Sequence, residues 1–489
     1  MEKLPPKSKK NKVVTREELL NLNKEDLVDR IIQLEAHNTQ LRNVISRNKA
    51  ENSENVDGSK RKFDFTKCHY RKVFLRILYF GWDYQGLAVQ EDSAQTIEHH
   101  LFHALIKSCL IEKRETSQYH RCGRTDKGVS AFGQVISISL RSRFPPSEQT
   151  NCNTEMPYCK ILNRLLPKDI RAIAWMPVPN DRLDYSARFD CKKRQYKYYF
   201  PKSSLNLLAM REACSHLIGS HDFRHLCKMD VGNGVTEFRR EILTADIVAI
   251  DKNDMDKPTS MYTLLIEGNA FLWHQIRCIM AVLLLVGEGK EAPSVVTELL
   301  DVETHSRKPQ YHMALDLPLN LFKCTYDVKS DWIYDMSELK TIICDLQSMW
   351  TLHSIKTTMI RDCIEELQNV RQMIGENTSE KETACNKSDM NKEYNENRDS
   401  NSGMNVCVTE TQDVANNKLV NDTTNDVCEK GTADTKYSEI ERDSVVSYTE
   451  CLIQGVKARV YTPLLKREKC SSLEERIEYY KKKRKIMDN

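Results

Sequence analysis

The chain has 489 residues, of which 29% are charged, and a formal net charge of +3. With a mean hydropathy of −0.57, this composition predicts a folded body that carries polar arms rather than one continuous core. The longest apolar run, Ile279 to Val286, and the polar start of the chain exclude a membrane helix and a secretory signal.

The first 69 residues predict three segments that precede the folded body. Residues 1–14 are basic and polar, which predicts a disordered N-terminus. In residues 15–47, leucines recur at every seventh position from Leu20 to Leu41, which predicts a helix able to form a coiled coil. A solvated helix, or one packed on the body, explains the same pattern. Residues 48–69 are polar and predict a linker.

Residues 70–335 show strand and helix patterns in turn and predict the folded body. Apolar residues alternate along Arg71–Tyr79, which favours a strand, and Thr96 precedes a helical pattern that runs to Leu105. The later predictions are strands at 135–140 and 195–200, a helix at 205–218, strands at 240–250 and 262–268, and a helix from Phe271 to Val286. Alternation without strict βαβ spacing predicts an α+β fold.

After residue 335 the sequence predicts a helical extension, a disordered segment and a basic end. We assign residues 336–374 to the extension. Residues 375–443 are mostly Asn, Thr, Ser, Asp, Glu and Lys, so they cannot bury enough apolar area to become ordered. Residues 444–489 include a basic helix from Ser472 to Lys485. Its cations could bind phosphates, act as a nuclear-import signal or only face water.

The 17 cysteines form no Cys-x-x-Cys pair and no His/Cys cluster with the spacing of a zinc site. This pattern favours reduced thiols and no metal, as in proteins of the nucleus and cytoplasm.

The segment Thr125-Asp-Lys-Gly128 lies directly before a predicted strand. By spacing alone it is typical of a tight turn, in which Asp126 accepts backbone hydrogen bonds and Gly128 supplies a positive φ. Arg121 and Arg124 are close in sequence, and a carboxylate beside arginines stays ionised. Asp126 could therefore also act as a nucleophile in a positively charged groove.

The sequence around Asp126 resembles the pseudouridine synthases, specifically the branch of bacterial tRNA pseudouridine synthase A. The matching stretch is Gly123-Arg-Thr-Asp-Lys-Gly-Val-Ser-Ala-Phe-Gly-Gln-Val135. Other matching segments follow in the order of that branch: Gly81–Gly86, Leu162–Ile170, Ser186–Phe189, Arg194–Tyr198, Gly219–Phe223 and Phe271–Arg277. Segments that resemble the eukaryotic tRNA pseudouridine(38/39) synthases are Cys227–Asp230, His274–Cys278, Lys308–Tyr311, Trp332–Tyr334 and Gly455–Pro463.

The resemblance implies roles for four residues. Asp126 matches the family's nucleophile, which attacks the target uridine at C1′ or at C6 of the ring. Tyr196 matches the active-site tyrosine, Arg124 the arginine that helps to hold the flipped nucleotide, and Arg277 the helix arginine expected to pair with Asp126. Without the resemblance, Tyr196 is also explained as a buried strand tyrosine and Arg277 as a phosphate contact or an exposed helix position. His274, one turn from Arg277, is expected to pack rather than to catalyse.

The resemblance also implies a fold, a substrate and a reaction. The fold is a mixed, mainly antiparallel sheet built from two related halves and flanked by helices, with the RNA cleft between the halves. Converting uridine to pseudouridine exchanges an N–C bond for a C–C bond without redox change, so we expect no cofactor and no metal. The implied partner is the anticodon arm of tRNA, at position 38 or 39, bound through cations such as those at 141, 143 and 192–194. The bacterial relatives also suggest a homodimer.

Two departures from the family pattern leave alternatives open. Cys278 stands where the bacterial branch has Asn, and residues 144–158 are absent from short bacterial members, so the target uridine could differ. A non-catalytic tRNA-binding or chaperone protein with the same fold is the competing class, and the presence of Asp126 weighs against it. A zinc base deaminase is excluded because the sequence has no His-x-Glu and Pro-Cys-x-x-Cys arrangement.

Overall fold

The computed structural model describes residues 63–395 and 448–487, except 92, 150–151, 180–181, 252–254, 256, 329–330 and 456–459. The chain divides into two units, residues 1–66 and 67–489, and the second unit contains the sheet and its helices. The predicted N-terminal arm, the heptad helix, most of the linker and residues 396–443 lie outside the described residues. Within the described ranges, no helix has both the length and the apolarity needed to cross a bilayer.

Nine strands of the described chain form a single sheet. They are β1 (His69–Tyr79), β2 (His120–Arg121), β3 (Ser130–Ser142), β4 (Ile170–Pro177), β5 (Cys191–Pro201), β6 (Gly219–Asp222), β7 (Arg239–Ala249), β8 (Met261–Gly268) and β9 (Leu319–Tyr326). Their order is β4-β1-β3-β9-β5-β8-β7-β6, and β2 pairs with β3 beside this path.

The pairing pattern divides the sheet into two antiparallel groups. Every pairing is antiparallel except that between β3 and β9, where Ser130 pairs with Asn320 and Ala131 with Leu321 in parallel. One group contains β1 to β4 and the other contains β5 to β9, so this short parallel seam is where they join. The predicted mixed, mainly antiparallel sheet is confirmed.

A close approach of two backbones extends the seam beyond its two residue pairs. A Cβ atom at Gly133 would lie 2.4 Å from the carbonyl oxygen of Phe322, so only glycine fits this position on β3. The Asn320 side chain accepts a hydrogen bond from the Phe132 backbone N–H at 3.0 Å, and the Phe132 and Phe322 rings stack with centroids 5.4 Å apart. The seam is therefore held by side chains as well as by the ladder.

Seven α-helices of the described chain flank the sheet or extend from it. They are α1 (Ile97–Lys107), α2 (Tyr158–Asn163), α3 (Leu207–Ser215), α4 (Gln275–Gly287), α5 (Val295–Leu300), α6 (Met336–Asn395) and α7 (Leu473–Met487). The predicted cap of α1 is confirmed, because the Thr96 side chain accepts a hydrogen bond from the His99 backbone N–H at 3.3 Å.

Helix α4 is buried along its whole length and begins later than predicted. Its first residue is Gln275 rather than Phe271, and the preceding His274 has φ 58°, in the left-handed region. A residue in that conformation cannot continue a right-handed helix, so residues 271–274 form a turn instead. That turn carries side chains of the candidate active site.

Four of the nine strands, β2, β4, β6 and β9, were not predicted from periodicity, and β2 and β6, with two and four residues, are too short to show a period. Seven consecutive residues of β4, Ile170 to Met176, are buried, so the strand shows no alternation of exposed and buried positions. In β9, the polar residues Asn320 and Lys323 interrupt the apolar pattern between Leu319 and Tyr326. Burial on both faces and functional polar residues each weaken the two-residue period on which the prediction depends.

Toward the end of the chain, helix α6 ends later than predicted, whereas the predicted C-terminal helix is present. Helix α6 continues to Asn395, past the predicted start of the disordered segment at 375. The residues there include Glu, Lys and Ala, which favour helix even without an apolar face. Helix α7, Leu473–Met487, confirms the predicted basic helix. Leu452, Leu464 and Leu473 are buried in the core of the body, so the C-terminal segment packs on it.

Candidate active site

The loop between β2 and β3 presents Asp126. Two polar contacts anchor the residues just before Asp126: Gln134 donates a side-chain hydrogen bond to the Gly123 carbonyl at 2.9 Å, and the Tyr79 hydroxyl lies 2.7 Å from the Thr125 hydroxyl. Gly128 has φ 77°, as the tight-turn interpretation predicted. The position of Asp126 is thus set by buried polar contacts on β1 and β3.

The Asp126 carboxylate faces the turn that precedes α4. The indole Nε1 of Trp273 donates a hydrogen bond to Oδ1 at 3.2 Å, and Nε2 of His274 lies 3.3 Å from Oδ2. The Asp126 side chain keeps 32% of its surface exposed. The carboxylate is therefore held by the Trp273 N–H and lies against the His274 ring, while part of it stays open to solvent.

Opposing effects act on the ionisation of Asp126. Burial is the largest and raises the pKa of Asp126 above its ordinary value, and the nearby Asp316 carboxylate adds to the rise. The Trp273 hydrogen bond, Arg277 and Lys228 act in the opposite direction and do not fully offset burial. Asp126 is consequently a less acidic carboxyl than a surface aspartate.

The two arginines expected to keep Asp126 ionised do not contact it. Arg121 pairs instead with Glu98, a fully buried carboxylate on α1, which also accepts hydrogen bonds from Arg114 at 3.1 Å and Tyr119 at 2.8 Å. Arg124 is exposed, and within the described chain it makes no ion pair. The expectation was wrong because Arg121 is engaged by Glu98 and Arg124 faces solvent.

His274 contacts Asp126 as a neutral ring. Burial lowers the pKa of His274 to about 3, and the cations Arg277, Lys228 and Lys308 contribute to this shift. Its other ring nitrogen, Nδ1, is buried without a hydrogen-bond partner among the described residues. The neutral tautomer with its proton on Nε2 fits these surroundings, because that proton points to the carboxylate. The predicted packing role of His274 thus misses this contact.

Arg277 has a different partner from the one expected. Its guanidinium lies 3.6 Å from Asp316 and donates to the Ala314 carbonyl at 2.9 Å. The Arg277 side chain is only 4% exposed, so it is a buried cation rather than a phosphate contact. Its charge still acts on Asp126 through space, but no Asp126–Arg277 ion pair occurs in the described chain. The expected direct pairing is therefore corrected to an indirect one.

Tyr196 lies on β5 and is 8% exposed. Its ring meets the ring of Phe271 edge-on, with centroids 5.3 Å apart, and Phe271 begins the turn that carries Trp273 and His274. Burial raises the pKa of the Tyr196 hydroxyl well above its ordinary value, so the phenol keeps its proton. The structure joins Tyr196 to the Asp126 site through Phe271.

Sequence reasoning missed three residues of the site. Trp273 donates to Asp126, Asp316 pairs with Arg277, and exposed Lys228 places its ammonium 4.3 Å from the centre of the Trp273 ring. Trp273 and Lys228 lie within the quoted family segments, which was the available signal. Asp316 lies in none of them, so only the fold identifies it.

Comparisons with known proteins agree with the resemblance. The family model described as tRNA pseudouridine synthase matches residues 213–327. The human tRNA pseudouridine(38/39) synthase is 38% identical over 481 residues, which cover 94% of this chain and 88% of that protein. The Saccharomyces cerevisiae protein of the same name is 39% identical, covering 66% of this chain and 75% of its own. Archaeoglobus fulgidus tRNA pseudouridine synthase A is 33% identical, and the match covers 50% of this chain and 82% of that protein.

Proposed function

The chain belongs to the tRNA pseudouridine synthase family, whose members are isomerases, and from this premise we propose that Asp126 is the nucleophile. The proposed substrate is uridine at position 38 or 39, in the anticodon arm of tRNA. The proposal leaves open whether Asp126 attacks C1′ of the ribose or C6 of the base.

The observation that carries this proposal is the arrangement around Asp126. A nucleophilic carboxylate must be ionised, oriented and accessible at once. Trp273 donates to one carboxylate oxygen, His274 lies against the other, and the exposed third of the side chain leaves room for the nucleotide. The Trp273 and His274 rings are both uncharged, so they contact the Asp126 carboxylate without cancelling its negative charge.

Tyr196 and Arg277 support Asp126 in different ways. Because burial keeps the Tyr196 phenol protonated, we assign it to contact the base as an aromatic wall or hydrogen-bond donor rather than as a phenolate. Arg277 favours the ionised state of Asp126 from a distance and is itself held by Asp316. We therefore propose Tyr196 as a substrate contact and Arg277 as a positioning residue.

Exposed cations around the loop suit a tRNA backbone. The cations that face solvent on the loop and on its neighbours are Arg124, Lys127, Arg188, Lys192 and Lys228. Two of the residues predicted to bind phosphates are engaged in the protein instead, since Arg141 donates to the Cys109 carbonyl and Arg194 to the Cys122 carbonyl. We propose that the exposed set binds tRNA, with an affinity that falls as salt rises. The uridine must leave its stack to reach Asp126, which costs least in a loop.

The expected homodimer and the location in nucleus and cytoplasm stay predictions. One surface supports the homodimer. Helix α6 exposes apolar side chains in two runs of heptad spacing, Ile343 and Trp350, then, ten residues on, Ile360, Leu367 and Ile374, and such a stripe is typical of a coiled-coil interface.

The test is pseudouridine mapping in total tRNA from cells that lack this protein, with and without the restored chain. We expect the wild type to restore pseudouridine at 38 or 39 and Asp126→Asn to abolish it, because an amide cannot serve as the nucleophile. Asp246→Asn, at an exposed aspartate, is the matched control and should retain activity. Full conversion by Asp126→Asn would contradict the proposal. If wild-type protein binds tRNA without forming pseudouridine, the non-catalytic alternative applies.

A further inference from the structure

Three cysteines converge at the base of the Asp126 loop. Cys122 follows β2, Cys191 begins β5 and Cys324 lies in β9, and their sulfur atoms all lie within 4.8 Å of one another. Cys122 and Cys191 are buried, at 2% and 8% exposure. No other group of three or more metal-ligand side chains converges in this way within the described residues.

We propose that Cys122, Cys191 and Cys324 bind one thiophilic metal ion, Zn²⁺ being the ion of that class that three thiolates would hold in a reducing compartment. This revises the expectation of no metal, which depended on spacing along the chain. The three residues are far apart in sequence, so no linear zinc pattern could show them.

The geometry fits a tetrahedral thiolate site. With zinc–sulfur bonds of about 2.3 Å, two ligands of a tetrahedral ion lie roughly 3.8 Å apart. Sulfur atoms already within 4.8 Å reach that separation through side-chain shifts of less than about 1 Å. The Tyr326 hydroxyl beside Cys122 donates to the Ala187 carbonyl at 2.8 Å, so a water molecule would take the fourth position of the ion.

The charge around the cluster favours an anionic group. Arg194 donates hydrogen bonds to the carbonyls of Cys122 and Arg188, both at 3.1 Å, and of Cys191 at 3.4 Å. Within the described chain no carboxylate pairs with this half-buried guanidinium. Three thiolates around Zn²⁺ carry one net negative charge, which Arg194 would offset.

Zinc would bind the three cysteines as thiolates. Metal binding would form three zinc–sulfur bonds and release the protons that the thiols still hold to solvent, with no change in oxidation state.

Such an ion would join the two groups of the sheet beside the active site. Cys122 belongs to the group of β1 to β4 and leads into the Asp126 loop, whereas Cys191 and Cys324 belong to the other group and Cys191 starts the strand that carries Tyr196. The ion would therefore hold the Asp126 loop against β5. Its expected role is structural, since Cys122 and Cys191 are buried, at 2% and 8% exposure, where a nucleotide does not reach.

The test is the metal content of the reduced, purified full chain, measured by inductively coupled plasma mass spectrometry. We expect about one zinc ion per chain in the wild type and loss of that zinc in Cys122→Ser, Cys191→Ser and Cys324→Ser. Cys214→Ser, at an equally buried cysteine outside the cluster, should retain it. Zinc retained by all three cluster variants, or no zinc above background in the wild type, would overturn the proposal.

A second measurement covers variants that fail to fold. Wild-type chain stripped by a chelator and titrated with Co²⁺ should show a thiolate-to-cobalt charge-transfer band, and Zn²⁺ should abolish the band and raise Tm, whereas Mg²⁺ should do neither. No charge-transfer band, or a mass decrease showing a disulfide between two of the three cysteines in the protein as isolated, would contradict the metal site.

Discussion

Asp126 combines two demands that oppose each other. Shielding from water raises its pKa and favours the protonated form, whereas a nucleophile must be ionised. The Trp273 hydrogen bond and the charges of Arg277 and Lys228 act toward ionisation. The balance places the control of this ionisation in neighbours outside the Asp126 loop: Trp273 in the turn before α4, Arg277 in α4, and Lys228.

Removal of the Trp273 hydrogen bond should shift the acidic limb of the pH profile. In Trp273→Phe the carboxylate loses an N–H donor worth about 1.5–3 kcal/mol to a charged group, so the pKa of Asp126 rises further. Since only the ionised form of the proposed nucleophile would attack, we expect the acidic limb of kcat/KM to move to higher pH by about one to two units. The measurement is the pH dependence of kcat/KM on a tRNA substrate. Trp82→Phe, at another half-exposed indole, is the control, and an unmoved limb in Trp273→Phe would argue against the assignment.

The buried Arg277–Asp316 pair should contribute strongly to folding stability. Arg277→Met leaves Asp316 partly buried without its partner, which should lower the free energy of unfolding by about 3–5 kcal/mol. The double variant with Asp316→Leu should lose less than the sum of the single variants, since the two residues contact each other. Urea denaturation measures each free energy.

The matched control for this cycle is the exposed pair Arg211–Asp246, with side chains 43% and 58% exposed. Solvent screens such a pair, so breaking it should change stability by at most about 1 kcal/mol. Additive effects of Arg277→Met and Asp316→Leu would show that the two side chains are not coupled.

At the scale of elements, the seam between β3 and β9 positions both parts of the site. The Asp126 loop ends where β3 begins, and Asp316 lies just before β9. Gly128 lies against Asp316, because a Cβ atom on this glycine would be 2.7 Å from an Asp316 carboxylate oxygen. The spacing of the two strands therefore sets the distance between the Asp126 loop and Asp316.

Gly133→Ala should weaken this seam. The added methyl group would lie 2.4 Å from the Phe322 carbonyl oxygen. The nearest atoms, from Phe322 and Lys323, belong to the backbone and cannot rotate away as a side chain could. Separating the strands to make room should cost about 1–3 kcal/mol and lower kcat by displacing the loop. Thermal unfolding and kcat are the measurements. Gly123→Ala is the control for stability, since no atom lies within 4 Å of its added methyl group, and equal Tm values for the two variants would contradict this view of the seam.

At the scale of the whole molecule, helix α6 has two parts with different surroundings. Near its start it packs on the body, where Ile342 is buried and Asp345 pairs with Arg171 and Lys168. Beyond that contact the helix leaves a heptad stripe of large apolar residues exposed, with Trp350 at 72%. Soluble chains rarely leave such a stripe uncovered, which is the physical basis for expecting a second copy.

Charge on the stripe should separate the predicted dimer. We expect the wild type to sediment as a dimer and the double variant Ile360→Asp/Leu367→Asp as a monomer. Each new carboxylate would be buried between the two α6 helices of the dimer. The control is Met359→Asp/Met373→Asp, which changes two equally exposed apolar residues outside the stripe and should remain dimeric. A monomeric wild type at micromolar concentration would contradict the prediction.

Local patterns determined much of the fold and the family. Alternation along β1, the Thr96 cap of α1 and the positive φ of Gly128 follow from interactions within a few residues, so they are predictable from sequence. The segment from Gly123 to Val135 identified the family because all of its matching residues are contiguous in the sequence. The start of α4 was misplaced because the left-handed His274 depends on its contacts with the rest of the protein.

The partners of the functional side chains were decided by the tertiary structure alone. Asp126 meets Trp273 and His274, Arg277 meets Asp316 rather than Asp126, and three cysteines from separate strands converge. These contacts join residues distant in sequence, whose proximity depends on the order of strands across the sheet. Periodicity and spacing describe each strand separately and contain no information about which strands become neighbours.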